Sequence, residues 1–215
     1  MKNRDRIYPA AFFIFGVILI ALVSGMSIKN YIKQNNNIKQ VSANNKQKES
    51  QKIFFNRPQN DPENTTVKIY KSKNIMELYG DEKLIGRFKV GFGRVNKGYK
   101  EKEGDNKTPE GSYYVCYINP NSKYKYFFGI SYPNEKDAKN GLDKNIINKI
   151  TYNRIKDAID DRRQPPWHTA LGGEIGIHGG GTKSDWTYGC IAMENEDIYK
   201  VKEYIRLRTE VYIYK

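Results

Sequence analysis

The 215-residue sequence predicts a strand-rich α+β domain preceded by one transmembrane helix, on three observations. An uncharged stretch from Ile7 to Ile28 is, at roughly 20 residues, long enough to cross the hydrocarbon layer as a helix. From Thr65 onward, short runs alternate apolar and polar residues with period two, as strands with one buried face do. After Pro133, isoleucines recur at spacings near 3.6, which marks a helical insert within the strands.

Lys2, Arg4 and Arg6 precede the apolar stretch and hold the short amino-terminal end in the cytoplasm, so residues 1–28 read as a signal-anchor. A cleaved signal peptide is the competing reading, with Val23-Ser24-Gly25 as a small-residue cleavage site. Either way the remainder is exported. The expected location is the cytoplasmic membrane, with the folded domain on the periplasmic or extracellular side. Residues 29–64 carry many Asn, Gln, Lys and Ser and few apolar groups, so a polar flexible linker is expected there, with the folded domain at 65–215.

Charge follows the same division. Of the net +13, most lies in residues 1–60, where ten Lys and Arg stand against two acidic residues, while residues 61–215 hold twenty-seven against twenty-two. A nucleic-acid protein concentrates its basic residues on the folded module, so nucleic acid is not an expected partner. The mild excess on the domain is that of a solvated surface, and it is compatible with an anionic polymer.

Within the domain, Val67-Lys68-Ile69-Tyr70 reads as a strand. Ile75 to Tyr79 and Lys83 to Val90 form a hairpin around Gly80-Asp81-Glu82. Thr108-Pro109-Glu110-Gly111 is a turn that leads into a strand from Ser112 to Ile118. Asn134 is the expected cap of a short helix ending near Gly141, and a second helix is expected from Asp143 to Arg163 before Pro165-Pro166. Glu174 to His178 is a strand running into glycines, Asn195 to Arg206 a helix capped by Asn195, and Glu210 to Tyr214 the closing strand.

Two histidines and two cysteines supply the candidate chemistry. His178 ends an apolar strand and is followed by Gly179-Gly180-Gly181, bare backbone that lets a substrate approach the imidazole. Twelve residues on, Gly189 permits a tight turn that presents Cys190 ahead of a helix, and a thiol beside an imidazole or a helix amino terminus can become a nucleophile. Composition alone leaves open that Cys190 is a buried hydrophobe and His178 a structural residue. His168 is expected to be exposed without function, and Cys116 to be a buried, inert thiol. In an oxidising compartment a Cys116–Cys190 disulfide is the alternative, and it would silence the nucleophile. Two Cys and two His equal the count of a tetrahedral zinc site but lack the paired spacing of zinc modules, so neither a metal nor a cofactor is expected.

The stretch from Ile177-His178-Gly179 to Thr187-Tyr188-Gly189-Cys190-Ile191 resembles the signature of the L,D-transpeptidase catalytic domain, also called YkuD-like: a His-Gly pair, then Ser or Thr, any residue, Gly and Cys. Val67 to Gly93 resembles that family's first hairpin, and Thr108-Pro109-Glu110-Gly111-Ser112-Tyr113 its Thr-Pro-x-Gly-x-aromatic element. The insert with Pro133, Pro165-Pro166 and Leu171 to His178 resembles a murein L,D-transpeptidase branch.

The resemblance implies a β-sandwich-type catalytic domain with a helical insert. It implies a peptidoglycan L,D-transpeptidase in which Cys190 attacks a wall tetrapeptide, typically at a diaminopimelate–D-alanine bond. His178 would be the base, and the backbone N–H groups of Gly189 and Cys190 the oxyanion donors. Gly179, Gly180, Trp186, Thr187 and Tyr188 would shape the substrate pocket, while Asp185 reads as a turn former rather than an imidazole partner. The implied partners are peptidoglycan stem peptides, a wall-linked protein as a second substrate class, and the membrane through residues 7–28. Two features differ from the family pattern: the His178-to-Cys190 spacing is short, and Ala192 stands where many members carry Arg or Asn. An amidase or hydrolase of the same fold, and a non-catalytic peptidoglycan-binding module, are the alternatives. A sortase would need Thr-Leu-x-Thr-Cys, and papain-like peptidases place Cys before His.

Overall fold

The computed structural model describes residues 28–49 and 52–215. The expected membrane anchor therefore lies outside the described residues except for Ile28, and among the described residues no helix is long and apolar enough to cross a membrane. The chain divides into two compact units, 1–52 and 53–215.

In the first unit, Ile28–Glu49 is an α-helix, α1, where the sequence leads one to expect a flexible linker. Lys, Gln, Glu and Ala are good helix formers, and the stretch holds neither Gly nor Pro. Ile32 and Ile38 stay exposed.

The second unit begins earlier than expected. Phe54–Phe55 forms a short strand, β1, and Phe55 packs its ring 6.0 Å from Phe88 and 5.9 Å from Tyr204. Two adjacent aromatics in a polar stretch have no period to reveal them, and the second unit, which starts at residue 53, includes the partly buried Phe55 packed against its core.

Eight further strands follow: β2 (Thr65–Tyr70), β3 (Ile75–Gly80), β4 (Lys83–Lys89), β5 (Gly111–Asn119), β6 (Phe127–Ile130), β7 (Gly176–His178), β8 (Ile191–Ala192) and β9 (Glu210–Tyr214). Their order is β1-β4-β3-β2-β9-β5-β6-β7-β8. β2/β9 and β7/β8 are parallel, and the other pairs are antiparallel. The hairpin between β3 and β4 turns through Asp81 and Glu82, both at positive φ.

The expected β-sandwich is instead one continuous strand order that curls. β5 is the reason: its first half pairs with β9, its second half with β6, and the register shifts between Val115 and Tyr117 where Cys116 is bulged. The curl brings Gly91, just beyond β4, into a bridge with Ala192 of β8. Inside it, Val67, Leu78, Phe88, Val115, Phe128, Ile177, Ile191 and Val211 form a single buried cluster, which Ile198 and Val201 join from helix α4 (Asn195–Val201). Thr108 explains its turn motif: its Oγ1 accepts from Gly93 N at 3.0 Å, and its carbonyl accepts from the buried Lys71 Nζ at 3.0 Å.

The insert between β6 and β7 holds α2 (Glu135–Asp143) and α3 (Lys149–Asp160), which share a second small core of Ala138, Ile147, Ile155 and Leu171. Asn134 caps α2 in a reciprocal capping box with Asp137, as the sequence predicts. The expected helix over 143–163 shortens at both ends. Asn145 at φ 56° breaks it, Asn148 caps the restart by accepting from Thr151 N at 2.9 Å, and Arg162 at φ 52° follows its end. α4 is also shorter than expected and does not use Asn195 as its cap, because Asn195 Oδ1 accepts from Gly180 N at 2.9 Å.

Ile177 is fully buried between the curled strands, so Ile177→Ala is expected to cost about 3 kcal/mol of unfolding free energy. Denaturant titration measures this, and a loss under about 1 kcal/mol would mean that β7 is not part of the core.

Candidate active site

The pairing of β7 with β8 positions both candidate residues. Ile177 lies opposite Ile191 and His178 opposite Ala192, in parallel register. Side chains alternate along a strand, and Ile177 and Ile191 both enter the core, so Gly176, His178, Cys190 and Ala192 share the other face. Strand spacing and rise place the Cα atoms of Cys190 and His178 about 8 Å apart, within reach of a thiol and an imidazole. A Cβ on Gly176 would lie 2.6 Å from the Phe127 ring, so the glycine makes room for that ring.

His178 is buried, and its Nδ1 lies 2.5 Å from the Gly179 carbonyl oxygen. A carbonyl can only accept, which assigns the proton to Nδ1 and leaves the lone pair on Nε2. Tyr124 stacks on the ring at 4.7 Å and 24°, and Trp186 meets it edge-on at 5.7 Å. Burial among these aromatics lowers the imidazole pKa below its ordinary value, and the Gly179 carbonyl partly opposes the shift.

Cys190 is half-buried and free, and its Sγ donates to the Glu174 carbonyl at 3.4 Å. Burial pushes the thiol up to about 11; the Gly176 backbone and Lys100 pull down, and the Glu174 carboxylate pushes up. Both shifts favour the uncharged forms, a thiol and a neutral imidazole. The expected helix amino terminus does not assist, because β8 separates Cys190 from α4.

The turn before Cys190 is braced from inside. Thr187 is buried, its hydroxyl donates to the Cys190 carbonyl at 2.8 Å, and the same oxygen accepts from Gly189 N at 3.1 Å. Gly189 sits at φ 141°, and a Cβ there would lie 2.8 Å from Ile175 Cδ1 and 2.9 Å from the Lys107 carbonyl oxygen, so no other residue fits. This corrects two expectations. Thr187 is a brace rather than a pocket wall, and the Gly189 N–H is engaged by it instead of standing free for an oxyanion. The Cys190 N–H has no acceptor among the described residues.

The other expected pocket residues divide. Trp186 and Gly180 line a cleft of about 390 Å³ with Gly181, Lys183, Glu194 and Asn195. Gly179 is buried against the Tyr124 carbonyl, to which its N–H donates at 3.0 Å, and does not line this cleft. Tyr188 is 69% exposed, with the Arg94 guanidinium 4.6 Å from its ring. Asp185 accepts from Phe92 N at 2.8 Å and Asn96 Nδ2 at 2.9 Å, which pins the loop after β4 and leaves the imidazole alone. Cys116 is also free; its Sγ donates to the Gly129 carbonyl at 3.5 Å, and burial pushes it up to about 12. No group of three or more metal-ligating side chains occurs among the described residues.

Sequence reasoning missed Tyr124 and the Glu174 carbonyl. Gly176 was missed as well, although a glycine two residues before the histidine of a strand falls on the same face as its side chain.

The family whose members carry the L,D-transpeptidase catalytic domain, YkuD, matches residues 64–213. The chain belongs to this family. No curated protein matches it in sequence. Among solved structures, the helical cell shape determining protein Pgp2 from Campylobacter jejuni is 23% identical with a TM-score of 0.50, covering 75% of this chain and 48% of that one. Bd1075 from Bdellovibrio bacteriovorus is 17% identical with a TM-score of 0.47, covering 76% and 54%. An L,D-transpeptidase from Xylanimonas cellulosilytica is 14% identical with a TM-score of 0.41, covering 73% and 63%. The chain thus spans about half the length of the Campylobacter jejuni protein, and the likeness is one of fold.

With its thiol at about 11, Cys190 is expected to react with iodoacetamide at a rate rising about tenfold per pH unit between pH 7 and 9. A rate already level at pH 7 would mean that a thiolate–imidazolium pair exists at rest.

Proposed function

We propose that this chain is a peptidoglycan L,D-transpeptidase that works through a Cys190 acyl-enzyme. The observation that carries the reading is the shared face of β7 and β8, where a free thiol stands two register positions from an imidazole whose Nδ1 is tied down and whose Nε2 can accept a proton. Membership of the L,D-transpeptidase family supports stem peptides as substrates.

In the proposed reaction Nε2 of His178 takes the thiol proton as sulfur bonds to the carbonyl carbon of an L-centred stem residue. The Cys190 N–H meets the developing oxyanion. Collapse breaks the C–N bond, and His178 returns its proton to the departing D-alanine amine. An amine of a second stem peptide then attacks the thioester carbonyl and gives up its proton through Nε2, and the sulfur leaves and regains its own. A wall-linked protein amine is the other acceptor in this proposal, and water as acceptor would make the same site a hydrolase. The apolar residues 7–28 would hold the domain at the outer side of the cytoplasmic membrane. The Campylobacter jejuni neighbour bears a cell-shape title, and a part in cell shape belongs to the proposal for this chain.

The test is mass spectrometry of products after incubation with disaccharide-tetrapeptides. Cross-linked dimers with loss of D-alanine are expected, Cys190→Ala should abolish them, and His178→Gln should slow them roughly 100-fold or more. Tripeptide alone would replace transfer by hydrolysis, and binding to sacculi without any product would leave a binding module. Because only the neutral imidazole accepts a proton and burial lowers its pKa, the acid limb of kcat/KM should fall below the ordinary histidine value of about 6.5. An acid limb above that value would remove His178 as the base.

A further inference from the structure

Tyr124 lies in the tight turn that leads from β5 into β6. Its N–H donates to Ser122 Oγ at 3.2 Å, the Lys125 N–H donates back to the Ser122 carbonyl at 2.9 Å, and Lys125 sits at φ 77°. The Tyr124 carbonyl accepts twice, from Tyr126 N at 3.0 Å and from Gly179 N at 3.0 Å. The second bond reaches the residue whose own carbonyl holds Nδ1 of His178. The turn thereby fixes the peptide that orients the imidazole.

The side chain of the same residue covers the ring. Its phenol plane lies 24° from that of the imidazole, with the centroids 4.7 Å apart, which is face-to-face stacking at close range. Phe127, opposite His178 in the register of β6 and β7, lies nearly parallel at 6.4 Å, and Trp186 stands at 68° to the imidazole, 5.7 Å away. The glycines after the histidine admit these rings. A Cβ on Gly180 would lie 2.9 Å from the Trp186 ring and 3.5 Å from that of Tyr124, and one on Gly179 would lie 2.7 Å from the Tyr124 carbonyl oxygen.

Enclosure by aromatic rings removes water from the imidazole and so disfavours its charged form. The proposed reaction nonetheless passes through that form, because Nε2 takes the thiol proton while Nδ1 keeps its own. Among the described residues no carboxylate bonds to the ring: Nδ1 meets a carbonyl, and Asp185 is spent on Phe92 and Asn96. The other titratable groups around it are the Cys190 thiol on the shared face and the Lys123 ammonium, 5.1 Å from the Tyr124 ring, while Glu194 beyond Gly180 is bonded to Thr182. What faces the imidazole is the π cloud of Tyr124. The face of an aromatic ring is negative, and it attracts a cation most strongly where water is excluded.

We propose that Tyr124 is the positioning residue of the candidate base: its backbone fixes the Gly179 peptide, and its ring face stabilises the imidazolium that forms when Nε2 takes the Cys190 proton. An aromatic face thus stands where a carboxylate steadies the histidine of a Ser-His-Asp triad. This rests on the acyl-enzyme reading, which gives the imidazolium its place in the reaction.

Two variants of the full chain separate the ring face from its packing. Tyr124→Phe keeps the π face, whereas Tyr124→Leu keeps an apolar cover without it, and both retain the backbone bond to Gly179. One measurement is the NMR titration of the two imidazoles, with the exposed His168 as internal reference. The other is the rate of Cys190 acylation by a carbapenem-type lactam. In Tyr124→Leu the His178 midpoint is expected about one pH unit lower than in the unaltered chain and acylation about tenfold slower, with His168 unmoved. Tyr124→Phe should match the unaltered chain in both. A His178 midpoint that stays in place in Tyr124→Leu, or falls equally in Tyr124→Phe, overturns the assignment, since packing alone lowers stability without a shift that follows the π face. Absence of lactam acylation in the unaltered chain overturns the acyl-enzyme reading and with it the part of Tyr124 in the reaction, whereas normal acylation with an unmoved midpoint overturns this assignment alone.

Discussion

The parallel register of β7 against β8 is the constraint on which the site depends. Two residues of each strand are enough to set it, because Ile177 and Ile191 must both enter the core. A slip by one residue would turn the isoleucines outward and drive a histidine and a cysteine into a dry apolar cluster, losing burial of two large side chains. The apolar interior thus enforces the alignment of the polar face. Gly91 strengthens the arrangement from the other edge, since its N–H and C=O exchange hydrogen bonds with Ala192, each at 2.9 Å. β8 is therefore held on both sides although it is only two residues long.

Preorganisation of the backbone contrasts with the dormant charge state of the pair. Thr187, Gly189 and the Gly179 carbonyl fix the turn before Cys190 and the tautomer of His178. Burial meanwhile disfavours charge on both groups, raising the thiol and lowering the imidazole. In the proposed reaction the pair would stay little reactive until a polarised carbonyl is held against the sulfur, when proton transfer and attack would occur together.

Much of this was legible in the sequence where local patterns decide structure. The strands β2, β3, β4, β5 and β9 follow their alternation, and the Asn134 cap forms with Asp137 at the third helical position. The residues that escaped notice depend on distant contacts. β6 reads Phe-Phe-Gly-Ile, with apolar residues on both faces because one face meets the core and the other meets Trp167 and His178, so no period survives. Tyr124 reaches His178 only because β6 brings its approach loop alongside β7. Thr187 was placed correctly in the motif, but whether a threonine faces a pocket or its own turn is set by a hydroxyl orientation that spacing does not encode. Over 29–64 the expectation of a linker rested on polar composition, and α1 shows that a polar stretch with Lys, Gln and Ala and without Gly or Pro can be helical.

The position of β9 has a consequence for how the domain comes into being. Glu210–Tyr214 is not an edge strand but sits between β2 and β5, joining the half of the sheet made from early residues to the half that carries Cys190. Until those residues have been synthesised the two halves have no common strand, and the curl that carries the loop after β4 to Ala192 cannot close. Assembly is accordingly late and dominated by contacts distant in sequence, which makes it slow.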